Sequence, residues 1–411
     1  MGAGRRGAGL YRPRHQPRRA DPLQLRPARR DCGAATPGGR GPHQQRGRPR
    51  GVPAPVGHGG GVPGQNQRPG LQRLPAGDGV SGRSARVSAG WRPYPALPGS
   101  TVTGTLLQWD AVGDAKHAPR PLLAWLPPSY TDSAPFQHRR ESTACASIPR
   151  NPSSFLLASA RIESETTGFN RNPSYSADPE RRYPVVYFHD GQNVFDAATS
   201  FSGEWGADEV LTDLAREGLE AIAIGIPNGG ERRFHEYSPC PPVAAARADV
   251  PPGSGGGADA YVHFLTETVK PLVDATLRTL PGPESTSVIG SSMGGVVSLH
   301  ALLTRPDVFG HAGLMSPAFW TGGDFALRQS EAAPLPAGRV WLDVGGRESD
   351  DPARAAAYRQ DAARLAEHWQ ARGLGERLHF REDPQAIHHE SAWRARLPAA
   401  LRFLLTGTVT D

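Results

Sequence analysis

Regular alternation of apolar and polar positions first appears at Thr101. Val102, Leu106, Leu107 and Trp109, then Pro121 to Leu126, make two candidate strands that stop at the turn Pro127–Pro128–Ser129. Residues 131–182 are rich in Ser, Pro, Asn and Arg and carry no period. A stretch of that length reads as an inserted loop. Beyond Tyr183 the pattern becomes strand, helix, strand, helix. Pro184–Phe188, Ala221–Ile226, Ser287–Ile289, Ala312–Met315 and Val340–Val344 are short continuous apolar runs, as strands buried on both faces should be. Between and after them the 3.6-residue period predicts helices at Asp208–Arg216, Ala258–Leu280, Gly295–Thr304, Pro352–Arg372 and Ala392–Leu405. The alternation predicts an α/β fold with a mostly parallel central sheet and helices on both faces.

Ahead of Thr101 neither period persists, and the text is Gly, Pro and Arg with scattered Gln. Residues 1–100 are therefore expected to be a disordered leader, and 101–408 one domain carrying the inserted loop at about 131–182. Charge sharpens this division. The leader holds 18 Arg, no Lys and three acids, a net of +15, within a chain whose total is only +6. The globule is thus mildly acidic and offers no basic face for nucleic acid, which is not expected as a partner. The leader could act as a phosphate-binding arm, but no aromatic interleaving accompanies its arginines. A solvated tail, or sequence upstream of the true start, is the plainer reading; Lys116 and Lys270 are the only lysines, which fits GC-rich coding.

Three cysteines, Cys32, Cys145 and Cys240, lie far apart with neither a zinc-knuckle spacing nor a disulfide framework. No secretory pattern follows Met1 and no run of 18 apolar residues occurs, so a cytoplasmic chain without a membrane span is expected.

Gly290–Ser291–Ser292–Met293–Gly294 fits G-x-S-x-G, and its context gives the match meaning. It follows a short apolar strand and opens a helix. That arrangement is the nucleophile elbow, where a sharp turn presents the Ser292 hydroxyl above the sheet edge. The start of the helix also brings positive backbone dipole to a developing oxyanion. The bland alternative is a glycine-rich turn with incidental serines. A serine hydroxyl needs a histidine base oriented by a carboxylate, and this architecture supplies them in the order Ser, acid, His. Of the histidines after Ser292, His300, His368 and His379 fall inside predicted elements, and His311 precedes a strand at its far end. The pair His388–His389 lies on a loop before the last helix. Glu348, closing the segment Val340–Arg347, is the candidate acid, with Asp350 and Asp351 as fallbacks.

Four segments carry a resemblance: YPVVYFHDGQNVFD at 183–196, GSSMGG at 290–295, DVGGRE at 343–348 and HHESAW at 388–393. With LPPSY at 126–130, they make the chain resemble the esterase D or “putative esterase” superfamily of α/β hydrolases, which includes feruloyl, acetylxylan and enterochelin esterases, S-formylglutathione hydrolases and mycolyltransferases. The resemblance implies the α/β-hydrolase fold and a serine esterase without a cofactor. It places the nucleophile on Ser292, the base on His388 (five residues before Trp393), the acid on Glu348, and the oxyanion-hole amides on Met293 and Gln192. The inserted loop and the Arg-rich leader have no counterpart in that family.

Trp205, Tyr237 and Trp320 are candidate substrate-lining aromatics, though each could equally be a packed core residue. His388, His389 and Glu390 with His189 and Asp190 could suggest metal ligands, but H-E-x-x-H is missing and no metal is expected. The glycines around 253–257 lack the lysine and preceding strand of a phosphate loop. The expected reaction is hydrolysis of a small-molecule or carbohydrate ester through an acyl-enzyme. An acyltransferase on the same triad, or a non-catalytic binding protein of the same fold, are the rival readings. On oligomeric state the sequence is silent.

Overall fold

Nine strands line up in one sheet in the order β1-β2-β3-β5-β4-β6-β7-β8-β9 in the computed structural model, which describes residues 90–130, 178 and 180–409. The chain divides into two units, Met1–Gly82 and Arg83–Asp411, and every described residue belongs to the second. The expected inserted loop, like residues 1–89 of the expected leader, lies outside the described residues, except for 178 and 180–182 at its end.

Strands β1 (Arg92–Pro93), β2 (Thr105–Val112) and β3 (Arg120–Leu126) pair antiparallel at one edge, and β3 continues antiparallel onto β5 (Ile222–Ile226). The rest is parallel: β4 (Val185–His189), β5, β6 (Thr286–Ser291), β7 (His311–Met315), β8 (Val340–Arg347) and β9 (Leu378–Ile387). Because crossover helices cover both faces of such a sheet, its strands must be apolar throughout. Successive residues of β4 show this. Val185 and Tyr187 join one core with Phe264, Leu299 and Trp369, whereas Val186 and Phe188 join the other with Leu211, Leu214 and Leu401. The first core lies under α3 (Ala258–Phe264), α5 (Met293–Thr304) and α7 (Pro352–Ala371), the second under α1 (Ala207–Arg216) and α8 (Glu390–Thr406). This is the α/β-hydrolase arrangement that the resemblance implied.

Three differences from the expected elements have physical causes. Residues 90–100, expected to be part of the leader, instead pack on the globule. Trp91 is buried edge-on against Trp109 with ring centroids 5.5 Å apart, and its indole N–H donates to Thr276 Oγ1 at 2.9 Å. One two-residue strand amid Gly and Pro leaves no local period, since its partner Gln108 is distant in sequence. The long helix expected over 258–280 stops earlier: α3 passes through a π-helical turn, Leu265–Val269, into α4 (Lys270–Thr276). Leu277 then turns extended and Tyr183 pairs with Thr279. Short helices α2 (Arg233–Tyr237) and α6 (Phe325–Ala332) were not expected.

Strand order reverses around β4, with β5 on one side and β6 on the other. Loops leaving the carboxyl ends of neighbouring strands there diverge to opposite faces and open a crevice between them. The loops after β4 and β6 carry Asp190 and Ser292 into it.

Candidate active site

Ser292 sits between β6 and α5 with φ of 56° and ψ of −121°. That strained conformation is tolerated because the turn is pinned: Ser292 N–H donates to Met315 O at 3.0 Å and Ser292 O accepts from Ala318 N–H at 3.1 Å. Gly290 has to be glycine, since a Cβ there would stand 2.7 Å from the Gly294 backbone. Met293 is buried in the first turn of α5.

Two elements away, β8 ends in a bulge and delivers Glu348, whose Oε2 lies 2.6 Å from His388 Nδ1. The Gly345 N–H donates to the other carboxylate oxygen. Burial pushes the Glu348 pKa up, but the His388 hydrogen bond and charge, the Ser316 hydroxyl and the Gly345 N–H together hold it below the ordinary glutamate value. Glu348 is therefore an ionised acceptor. Asp351, a fallback acid, instead caps α7 by accepting from Ala353 N–H at 3.0 Å.

His388 and His389 point to different partners. His389 is the N-cap of α8: its Nδ1 accepts from Ser391 N–H at 3.1 Å and its Nε2 lies 3.1 Å from Ser202 Oγ. The His388 ring is flanked by Tyr358, centroids 5.0 Å apart, and edge-on by Trp393 at 5.1 Å. Trp393 belongs to the same motif, five residues on, but the Tyr358 flank could not be read from spacing, because Tyr358 lies on α7, far from the motif.

Ser292 and His388 open onto a cleft of about 1060 Å³ whose walls include Gln192, Arg233, Asn228, Phe201 and Trp205. Asp190, also left-handed at φ of 54°, sets the wall after β4. Arg233 grips it with two bonds of 2.7 and 2.8 Å, and Asn228 Nδ2 adds a third at 2.7 Å. Burial raises the Asp190 pKa, yet the Arg233 charge, the hydrogen bonds from Arg233 and Asn228 and the neighbouring His189 together outweigh it and keep the carboxyl below its usual range. Gln192 follows in a short 3-10 turn and its side-chain Oε1 accepts from Asn228 N–H at 3.2 Å. Phe201, 91% exposed, stands at the lip, its backbone N–H tied to Asn193 Oδ1.

The three candidate aromatics part company. Trp205 lines the cleft, packed against Phe188 and Trp393. Tyr237 does not: it is wholly buried beneath the loop after β4, its hydroxyl accepting from Asp190 N–H at 3.2 Å. Trp320 also lies off the cleft wall, edge-on to Tyr358 at 6.0 Å with the Arg354 guanidinium 4.8 Å over its ring. Both follow strand ends in the chain, but the loops bearing them fold down onto helices rather than up into the crevice. His189, on the same buried side, bonds Tyr261 at 3.0 Å and is held neutral by burial, its pKa lowered to about 4. Among the described residues no group of three His, Cys, Asp or Glu side chains could hold a metal ion, and no helix is long and apolar enough to cross a membrane.

Beneath Glu348 lies a layer that sequence reasoning missed. Ser316, directly after β7 and with φ of 43°, receives Arg396 Nη2–H on its Oγ at 2.9 Å, while its N–H donates to Asp343 Oδ1 at 3.1 Å. Arg396 and Asp343 are themselves a buried ion pair at 3.1 Å. The only signal in the sequence was the position of Ser316 at a strand's carboxyl end.

YbbA of Bacillus subtilis, described as uncharacterized, is 28% identical over 176 residues, 43% of this chain and 66% of that protein. A siderophore triacetylfusarinine C esterase of Aspergillus fumigatus is 31% identical over 152 residues, 36% of this chain and 49% of that protein. The chain thus spans about half to two thirds of the length of these curated relatives. The siderophore hydrolase EstA of Aspergillus nidulans superposes with a TM-score of 0.49 and 21% identity, over 77% of this chain and 98% of that one. The family described as “Putative esterase” matches residues 159–404, more than half of the chain, and the protein belongs to that family.

Proposed function

We propose that this protein is a serine carboxylester hydrolase that works through an acyl-enzyme on Ser292. His388 is the general base, Glu348 holds and charge-balances its imidazole, and the backbone N–H groups of Met293 and Gln192 receive the oxyanion. The observation that carries this reading is the 2.6 Å His388–Glu348 contact beside a strained serine on the same cleft. With Nδ1 donating to a carboxylate, Nε2 is the unprotonated nitrogen and is free to take the Ser292 proton. Attack on the ester carbonyl gives a tetrahedral oxyanion, which two fixed amides stabilise without reorganisation. His388 then protonates the departing alcohol, and water repeats the sequence to release the acid.

For the substrate we propose a bulky ester of the siderophore kind, the class named for one relative. Small-molecule pockets usually measure about 300–1,000 Å³, so a cleft of about 1060 Å³ suits something larger than a simple aryl ester. Its polar wall of Arg233, Asn228 and Gln192 suits a ligand rich in oxygen acceptors. Ser292→Ala should lower kcat by several orders of magnitude and abolish labelling by a fluorophosphonate. A variant keeping more than about a tenth of wild-type kcat would remove Ser292 from the mechanism. Rates on a trilactone siderophore, methyl ferulate and p-nitrophenyl butyrate, with and without an acceptor alcohol, test the substrate class and separate hydrolysis from acyl transfer.

A further inference from the structure

Asp190, Arg233 and Glu390 are the ionic side chains among the described residues that line the cleft. Two of them cancel, because Arg233 closes on Asp190 with the paired bonds of 2.7 and 2.8 Å. Glu390 is left over. It opens α8 directly after the two histidines, and only 7% of its surface is exposed. No described residue gives its carboxylate a hydrogen bond or an ion pair, and neither oxygen is sealed away from the cleft side of the molecule. Arg394, one helical turn on, is the expected i,i+4 partner. It lies instead against Glu204 at 3.0 Å and Glu209 at 3.5 Å.

The start of α8 offers its backbone dipole to a first-turn acid, but an exposed side chain would gain that as well. A carboxylate held this far from bulk water ordinarily has a partner. Aromatic rings surround this one. Trp393, three residues on and so on the same helix face, lines the cleft with Trp205, their ring centroids 6.0 Å apart. Gly203 approaches from the lip so closely that a Cβ there would stand 3.8 Å from Glu390 Cβ, which sets Glu390 beside the segment carrying the exposed Phe201.

Resting on the reading of this cleft as the substrate site of a serine esterase, we propose that Glu390 is a cation subsite and that the ester it selects carries a protonated amine. A carboxylate set among aromatic faces is the arrangement that holds an ammonium group, through charge and through cation–π attraction. The N–H donors of the amine fill the lone pairs that the protein leaves open. Arg233 and Asn228 remain for oxygen acceptors on the same molecule. An uncharged ester of the same shape leaves Glu390 without its partner.

The test uses two isosteric pairs of esters, followed by pH-stat at neutral pH. Ethyl 6-aminohexanoate against ethyl heptanoate puts the charge on the acyl side, and 2-(dimethylamino)ethyl butyrate against 3-methylbutyl butyrate puts it on the alcohol side. In at least one pair kcat/KM should favour the amine by about 10- to 100-fold, the range of a hydrogen bond to a charged group. In Glu390→Gln that ratio should fall to within about threefold of one. A merely structural role would slow both members of a pair alike and leave the ratio standing. A wild-type ratio of one or less in both pairs overturns the proposal, as does a ratio that survives in Glu390→Gln. Should the Gln variant fail to fold, tryptophan fluorescence of the wild type titrated with hexylammonium chloride and with 1-hexanol decides the matter without turnover. The ammonium should bind at least about 10-fold tighter, and equal binding would overturn the subsite. Ser292→Ala assayed alongside keeps the two ideas apart. Hydrolysis surviving in it removes the nucleophile and leaves the titration to judge Glu390, whereas an inactive Ser292→Ala with equal wild-type rates in each pair removes only the cation subsite.

Discussion

Among the described residues, the non-glycine positions with positive φ are Asp190, Ser292 and Ser316. Each follows the carboxyl end of a parallel strand beside the cleft. Such backbones cost on the order of 1–3 kcal/mol apiece and persist only when neighbours over-determine them; here Arg233, Met315 and Arg396 do so. The same scale separates the adjacent histidines. His388→Ala should cost several orders of magnitude in kcat, because the proposed base disappears. His389→Ala should leave kcat within about fivefold but remove a helix cap, worth about 1 kcal/mol in urea unfolding. A His389 variant as inactive as the His388 variant would mean that the two roles had been exchanged.

At the scale of elements, α8 is fastened to the sheet through Arg396, and removing one partner of a buried ion pair typically costs about 3–5 kcal/mol. Arg396→Leu should therefore lower the urea midpoint strongly, since Asp343, whose pKa burial already raises, would lose the cation that favours its ionised form in a fully buried strand. Adding Asp343→Asn should recover part of that loss, and no recovery would show that the charge was not the cause. Helix α1 carries a pH dependence. Burial, with Glu209 adjacent, lifts the Asp208 pKa to about 8, while its carboxyl accepts from Thr103 N–H. A carboxyl raised in the folded state binds its proton where the unfolded chain has lost it. Its stabilising contribution is complete below about pH 4 and declines as pH rises toward about 8. Melting temperatures at pH 6 and pH 9 should thus lie closer together in Asp208→Asn than in the wild type. An equal gap in both would place the titration elsewhere.

For the molecule as a whole, truncation tests where the globule begins. Residues 1–89 carry no periodic apolar face, so deleting them should leave the melting temperature and esterase rate near those of the full chain. Deleting 1–100 removes the buried Trp91, the Tyr94 hydroxyl that donates to Asp196 at 2.8 Å, and the Ser100 hydroxyl on the same carboxylate. That shorter protein should melt several degrees lower, and equal melting of the two truncations would restore the boundary to 100. Salt-dependent RNA binding, measured on the full chain and the 1–89 deletion, tells whether the arginines of the leader act on phosphates.

Sequence by itself determined the parallel core, because a strand buried on both faces has to be apolar at every position, as Val185–Phe188 and Val340–Val344 are. It also determined the elbow, since a turn that brings backbone within 2.7 Å of a would-be Cβ admits only glycine at 290. Both are constraints between near neighbours in the chain. The choice of His388 over His389 was already made by the motif that ends at Trp393. The tertiary structure alone decided that Tyr237 and Trp320 fold away from the cleft, that Arg233 walls it, and that Tyr358 packs on His388 while Ser316 joins Arg396 and Asp343. Those outcomes depend on how α7 and α8 settle on the sheet and which way each loop turns. Contacts between residues forty or more positions apart leave no period or spacing to read, because their geometry is set by packing that only the assembled layers provide.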